Sequence, residues 1–184
     1  VAVFCLVAAC TVAEAQRAIG SKPIMAIGSQ PIMASGPQKW ALIIGVGKYK
    51  DSALRELPNA PADARSVYDL LTTAPGGFSR DNVFLMVDGS DPQKLPEQNN
   101  ILAKFTTWTS LAGPEDTILI YFAGHGMPGA KDGKLYLMCM NSYVATVEKS
   151  GLSYGELQRT LKECKAKSTV IILDACHAGT GRGD

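Results

Sequence analysis

Four stretches of the chain are dominated by apolar residues: Trp40–Gly47 (WALIIGVG), Asn82–Val87 (NVFLMV), Thr117–Gly124 (TILIYFAG) and Thr169–Ala175 (TVIILDA). A strand with one wet face alternates apolar and polar side chains, whereas a strand covered on both faces does not. These runs therefore predict buried strands of a parallel sheet. Between them the period changes. Ala60, Ala64, Val67 and Leu71 recur at helical spacing with Pro61 in the first turn, and Ile101, Phe105 and Trp108 do the same. Ser153 and Glu156 have the spacing of a capping box ahead of Leu157, Leu161 and Cys164. The alternation predicts an α/β fold, a mostly parallel sheet with helices on both faces. In such folds ligands bind beyond the carboxyl ends of the strands.

The N-terminal region follows neither pattern. Val1–Ala13 is apolar and uncharged, yet shorter than the ~20 residues that span a bilayer. Ala13-Glu14-Ala15 has the A-x-A form of a cleavage site. Residues 1–15 are therefore expected to be the remnant of a signal peptide, and the protein to be exported: periplasmic, lipid-anchored or secreted. Val7-Ala8-Ala9-Cys10 also resembles a lipobox, with Cys10 as the lipidated residue. An octapeptide, AIGSKPIM (18–25), returns at once as AIGSQPIM (26–33). Its Pro, Gly and Ser content predicts an extended linker over residues 16–38, leaving 39–184 as one folded domain.

Composition narrows the function classes. With 46% hydrophobic and 19% charged residues, the chain is neither disordered nor fibrous. Lys+Arg 18 against Asp+Glu 17 gives a net charge of +1, without a basic run, so no nucleic-acid partner and no membrane span are expected. The cysteines, Cys5, Cys10, Cys139, Cys164 and Cys176, are irregularly spaced and form no CxxC. Neither a disulfide framework nor a metal site is expected, and no cofactor is called for. Gly45-Val46-Gly47-Lys48 lacks the spacing of a phosphate loop. It reads as a tight turn, which disfavours a nucleotide-binding domain.

The other strand ends carry chemistry. Ala123-Gly124-His125-Gly126 follows the third run, and Asp174-Ala175-Cys176-His177-Ala178-Gly179 the fourth. A thiol becomes a strong nucleophile when a nearby imidazole takes its proton. Glycines beside His125 admit a substrate backbone, and amides at Gly126 and Cys176 can stabilise an oxyanion. The plainer reading of either residue alone is a turn histidine and a structural cysteine. Two glycine-rich motifs at two strand ends favour catalysis.

IYFAGHG (120–126) and LDACHAG (173–179) resemble the two signature blocks of the caspase-like cysteine peptidases, the clan of caspases, metacaspases and paracaspases. His125 precedes Cys176 by 51 residues, close to the separation of about 50 known for caspases. The resemblance covers about residues 39–179, the large-subunit half of the family domain. It implies a caspase-like three-layer sandwich lacking the small-subunit strands. It further implies a cysteine endopeptidase with Cys176 as nucleophile, His125 as general base and acid, and the Gly126 and Cys176 amides as oxyanion hole.

Asp174, two residues before the nucleophile, is similar to metacaspases rather than caspases, and Asp63 in LPNAPADA matches a second pocket aspartate of metacaspases. Two carboxylates suit an Arg or Lys side chain at P1, the substrate residue before the cleaved bond. Asp63 alone also fits a first-turn charge favoured by the helix dipole. His177 is expected to be supportive, and Cys139 and Cys164 to be core thiols.

Two departures from metacaspases matter. Tyr154-Gly155-Glu156-Leu157 and Tyr136-Leu137-Met138-Cys139 stand where calcium-dependent relatives carry acidic blocks, so most of the oxygen ligands Ca²⁺ needs are missing. The sequence ends at Asp184, before the small-subunit half, which is the expected partner besides a protein or peptide substrate. Thr169–Leu173 is then expected to be an open sheet edge. The competing reading from another class is a caspase-fold signalling or assembly module with little proteolysis.

Overall fold

The computed structural model describes residues 10–11 and 36–175. In chain order the elements are β1 (Cys10–Thr11), β2 (Lys39–Gly45), α1 (Ala60–Thr72), β3 (Val83–Val87), α2 (Gln98–Leu111), β4 (Thr117–Ala123), β5 (Gly126–Pro128), β6 (Leu135–Leu137), α3 (Val147–Ser150), β7 (Leu152–Ser153), α4 (Tyr154–Glu163) and β8 (Ser168–Asp174). The apolar runs are the strands of the main sheet, ordered β1-β8-β4-β2-β3, with β8, β4, β2 and β3 parallel. The β2–β4 register runs from Lys39↔Thr117 to Gly45↔Ala123, and β4–β8 from Thr117↔Ser168 to Ala123↔Asp174.

Both faces of this sheet are covered, which is why its strands read as continuous rather than alternating. Leu42, Ile44, Ile118, Ile120, Phe122 and Ile171 meet α2 and α4 through Ile101, Phe105, Trp108, Leu157 and Leu161. Ala41, Ile43, Tyr121 and Ala123 face Ala60 and Ala64 of α1 on the other side. The result is three layers, helix–sheet–helix. Gly45 sets the approach of α1: a Cβ there would lie 2.6 Å from the Ala60 carbonyl oxygen and 2.7 Å from the Ala64 Cβ. The Ser153 hydroxyl accepts the Glu156 amide at 3.3 Å, the side-chain half of the expected capping box at the start of α4.

At the amino ends of the strands, the buried Asp116 carboxylate ties the start of β2 to the turn before β4. It accepts the Gln38 amide at 2.7 Å, the Trp40 indole N–H at 3.0 Å and the Gly113 amide at 2.9 Å. Burial works against its charged form, but these three donors outweigh it and hold the carboxyl below the usual carboxylate range.

Two features lie outside the sequence reading. A small antiparallel sheet, β5-β6-β7, grows from the chain directly after His125. The expectation that Thr169–Leu173 is a wholly open edge is also corrected. β1 pairs antiparallel with the start of β8, Cys10↔Thr169 and Thr11↔Ser168. Beyond Thr169 the outer side of β8 has no strand partner among the described residues. Apart from Cys10 and Thr11, the expected signal remnant and linker lie outside the described residues.

Candidate active site

Every parallel strand of the sheet ends on the same side, and there the connection after β2, the first turn of α1 and the ends of β4 and β8 form a cleft of about 430 Å³. Its walls include Arg55, Glu56, Ala60, Asp63, Gly124, His125 and Asp174. Three of the residues singled out by sequence, Asp63, His125 and Asp174, thus share one cavity although 111 residues separate the first from the last. Asp63 comes from the first turn of α1, and Asp174 is the last residue of β8. Gly126 is buried at the start of β5, paired with Leu137. Cys176 and His177 lie outside the described residues.

The geometry at His125 defines its tautomer. Nε2 lies 2.8 Å from the Arg55 carbonyl oxygen. A carbonyl only accepts, so neutral His125 carries its proton on Nε2 and leaves Nδ1 as the basic nitrogen. The backbone is held as well: the His125 carbonyl accepts the Met138 amide at 2.8 Å, and its amide donates to the Tyr49 hydroxyl at 2.9 Å. The Tyr49 ring lies 5.1 Å from the imidazole, centroid to centroid.

The two aspartates are solvent-exposed, and neither has a cationic partner among the described residues. Asp174 is fixed at its backbone, its carbonyl accepting the Gly124 amide at 3.2 Å. The Tyr121 hydroxyl stands 3.5 Å from Asp174 Oδ2. Burial first, then the negative charges of Asp174 and Asp63, push the Tyr121 phenol up to about 12.

Directly after β3, Asp88 Oδ2 accepts the Gly47 amide at 2.9 Å while Oδ1 is buried without a partner among the described residues. Burial raises its pKa despite the Gly47 and Lys48 amides. Cys139 fits the core role expected of it, fully buried with its thiol pushed up to about 12 by desolvation. Cys164 is half-buried, its thiol 3.0 Å from the Leu161 carbonyl. No group of three or more His, Cys, Asp or Glu residues suited to a metal ion occurs among the described residues.

Tyr49, the Arg55 carbonyl and Tyr121 are the site groups that sequence reasoning missed. A backbone acceptor has no residue-type signature, and Tyr49 lies 76 residues from the histidine it touches. Only the position of Tyr49, shortly after the first strand run, hinted at it.

Residues 38–184 match the family model for the caspase domain, peptidase family C14. The chain belongs to the caspase-domain family. It is similar to metacaspase-1 of Eremothecium gossypii, 28% identical over 151 residues that make up 76% of this chain and 32% of that protein. Metacaspase-1 of Cryptococcus neoformans is 33% identical over 89 residues, 48% of this chain and 19% of the relative. The chain thus spans about a third or less of the length of these relatives. Among solved structures, protein GSU0716 from Geobacter sulfurreducens shares the fold, with a TM-score of 0.57 at 19% identity over 78% of this chain and 52% of that one.

Proposed function

We propose that this chain is the large-subunit half of a metacaspase-type cysteine endopeptidase that cleaves after Arg or Lys. The observation that carries the reading is the cleft holding Asp63, His125 and Asp174 together, with two carboxylates unpaired by any cation among the described residues. In this reading Cys176 attacks the scissile carbonyl after its proton passes to His125 Nδ1. The oxyanion is met by the Gly126 and Cys176 amides, and the proton then passes from His125 to the leaving amine. The last paired rung of β4 and β8 is Ala123↔Asp174. His125 and position 176 each follow that rung by two residues, which favours their meeting.

A guanidinium or ammonium group entering the cleft supplies the charge that Asp63 and Asp174 lack. An aspartate at P1 meets like charge instead. The outer side of β8 beyond Thr169 is where the small-subunit half would pair.

The test is a panel of fluorogenic peptides differing only at P1, run on the full-length protein and on Cys176→Ala. Hydrolysis after Arg or Lys that vanishes in the variant supports the reading. A preference for P1 Asp overturns the assignment of the two aspartates. Absence of hydrolysis on every peptide favours the signalling or assembly module.

A further inference from the structure

Resting on the reading of His125 as general base, we propose that Tyr49 is a positioning residue for that reaction. Its hydroxyl, held between the Val46 carbonyl and the His125 amide, fixes the imidazole against the Arg55 carbonyl in the tautomer that leaves Nδ1 free.

The need for such a residue follows from where His125 sits. β4 ends at Ala123, and the ladder of backbone hydrogen bonds that fixes a strand ends with it. Gly124 still donates to the Asp174 carbonyl, but the amide of His125 has no ladder acceptor and turns to a side chain, the Tyr49 hydroxyl at 2.9 Å. A hydroxyl has one proton to give. Tyr49 gives it to the Val46 carbonyl at 3.2 Å, so the oxygen's lone pairs are aimed at the His125 amide.

The ring completes the contact, lying 5.1 Å from the imidazole at an interplanar angle of 35°. Gly124 makes room for it: a Cβ there would come within 3.1 Å of the Tyr49 oxygen and 3.0 Å of the Phe122 ring. Burial raises the phenol pKa, so the hydroxyl stays protonated across the working range of a thiol–imidazole pair.

Tyr49 and Arg55 belong to the same connection between β2 and α1. That connection is itself anchored. The Lys50 amide donates to the Met140 carbonyl at 2.8 Å, and the Asp51 carboxylate accepts the Ala53 and Val144 amides at 2.9 and 2.8 Å. One braced loop therefore grips His125 twice, at the ring through a carbonyl and at the backbone through a phenol. A phenylalanine at position 49 fills the same space but cannot accept the amide.

The experiment compares Tyr49→Phe and Tyr49→Leu with the parent protein. Nitrogen-15 NMR of the His125 ring and amide is recorded in a Cys176→Ala background, where the readout does not depend on turnover. The parent is expected to show the Nε2–H tautomer. Tyr49→Phe is expected to mix the two tautomers and move the His125 amide resonance, with Tyr49→Leu going further. In the active background, losing one hydrogen bond of about 1 to 1.5 kcal/mol predicts a kcat about tenfold lower in Tyr49→Phe. KM should stay within about twofold, because P1 recognition lies elsewhere.

An unchanged tautomer and kcat in Tyr49→Phe overturn the proposal. So does a lowered melting temperature with the tautomer intact, since that is a packing role only. If the tautomer responds as expected but the parent hydrolyses no peptide, the peptidase reading fails and the Tyr49 clamp stands.

Discussion

The two ends of the main sheet use carboxylates in opposite ways. At the amino ends of the strands, Asp116 is 7% exposed and accepts three N–H donors, two from the start of β2 and one from the turn before β4. At the carboxyl ends, Asp63 and Asp174 are exposed, and among the described residues the one hydrogen bond to either carboxylate is from the Tyr121 hydroxyl to Asp174 at 3.5 Å. A saturated carboxylate has no capacity left for a ligand, whereas an unsaturated pair facing a cleft attracts a cation. The difference separates a carboxylate that holds the fold from two that can meet a ligand: what distinguishes them is burial together with how much of each remains unbonded among the described residues.

The largest expected effect removes the chemistry and leaves both ends intact. Cys176→Ala and His125→Ala should each lower kcat by about a thousandfold or more, with little further loss in the double variant, because the pair acts as a unit. Circular dichroism should show the fold retained. Comparable activity in Cys176→Ala would remove the thiol from the mechanism.

Next come the carboxylates of the cleft. Asp174→Asn and Asp63→Asn should each reduce kcat/KM on a P1-Arg peptide by about 10- to 100-fold, the worth of a hydrogen bond to a charged group. Stability should be unchanged or slightly raised, since neither side chain holds the fold. A large drop in melting temperature would make the two ends alike and erase the comparison.

The converse holds for the other end. Asp116→Ala leaves three donors short of an acceptor and should cost about 3 kcal/mol, seen as a lower urea midpoint. Activity per folded molecule should be retained. The carboxyl is held below its ordinary value by its donors. Its contribution is therefore complete above the unfolded pKa of about 3.9 and is lost as pH falls through the lower, folded one. Acid unfolding of Asp116→Ala should accordingly be flatter than that of the parent below about pH 4.

The smallest expected effect is that of calcium. Adding Ca²⁺ after chelation should leave the peptidase rate unchanged. A marked rise would show that acidic groups elsewhere in the protein gather oxygen ligands that the Tyr154–Leu157 and Tyr136–Cys139 stretches do not offer.

The fold was largely legible because burial on both faces leaves a compositional mark. β2, β3, β4 and β8 each fall within one or two residues of the apolar runs, and α1, α2 and α4 on the helical repeats. The small sheet was not legible. Its strands are two or three residues long, too short for any period to register. In the site, residue types that carry charge or nucleophilicity stand out at the strand ends, whereas Asp63 is marked only by the family resemblance. The groups that orient His125 could not stand out. One is a carbonyl of the common backbone, and the other is a tyrosine whose relevance depends on a contact across the sheet. Pairing at the edge was equally hidden, since Cys10 and Thr11 sit in a segment whose composition speaks of export and linkers.

Gly45 has a further consequence, for how the width of the cleft responds to substitution. The 2.6 Å clearance to the Ala60 carbonyl means that any side chain at position 45 must lift α1 off β2. The placement of Asp63 on that helix relative to Asp174 at the end of β8 therefore depends on the glycine. Substitutions at 63 and 174, or in the connection carrying Arg55 and Glu56, change the lining of the cleft directly, whereas a side chain at 45 acts by displacing the helix. A set of variants meant to alter what the cleft admits should therefore vary those positions and leave residue 45 alone.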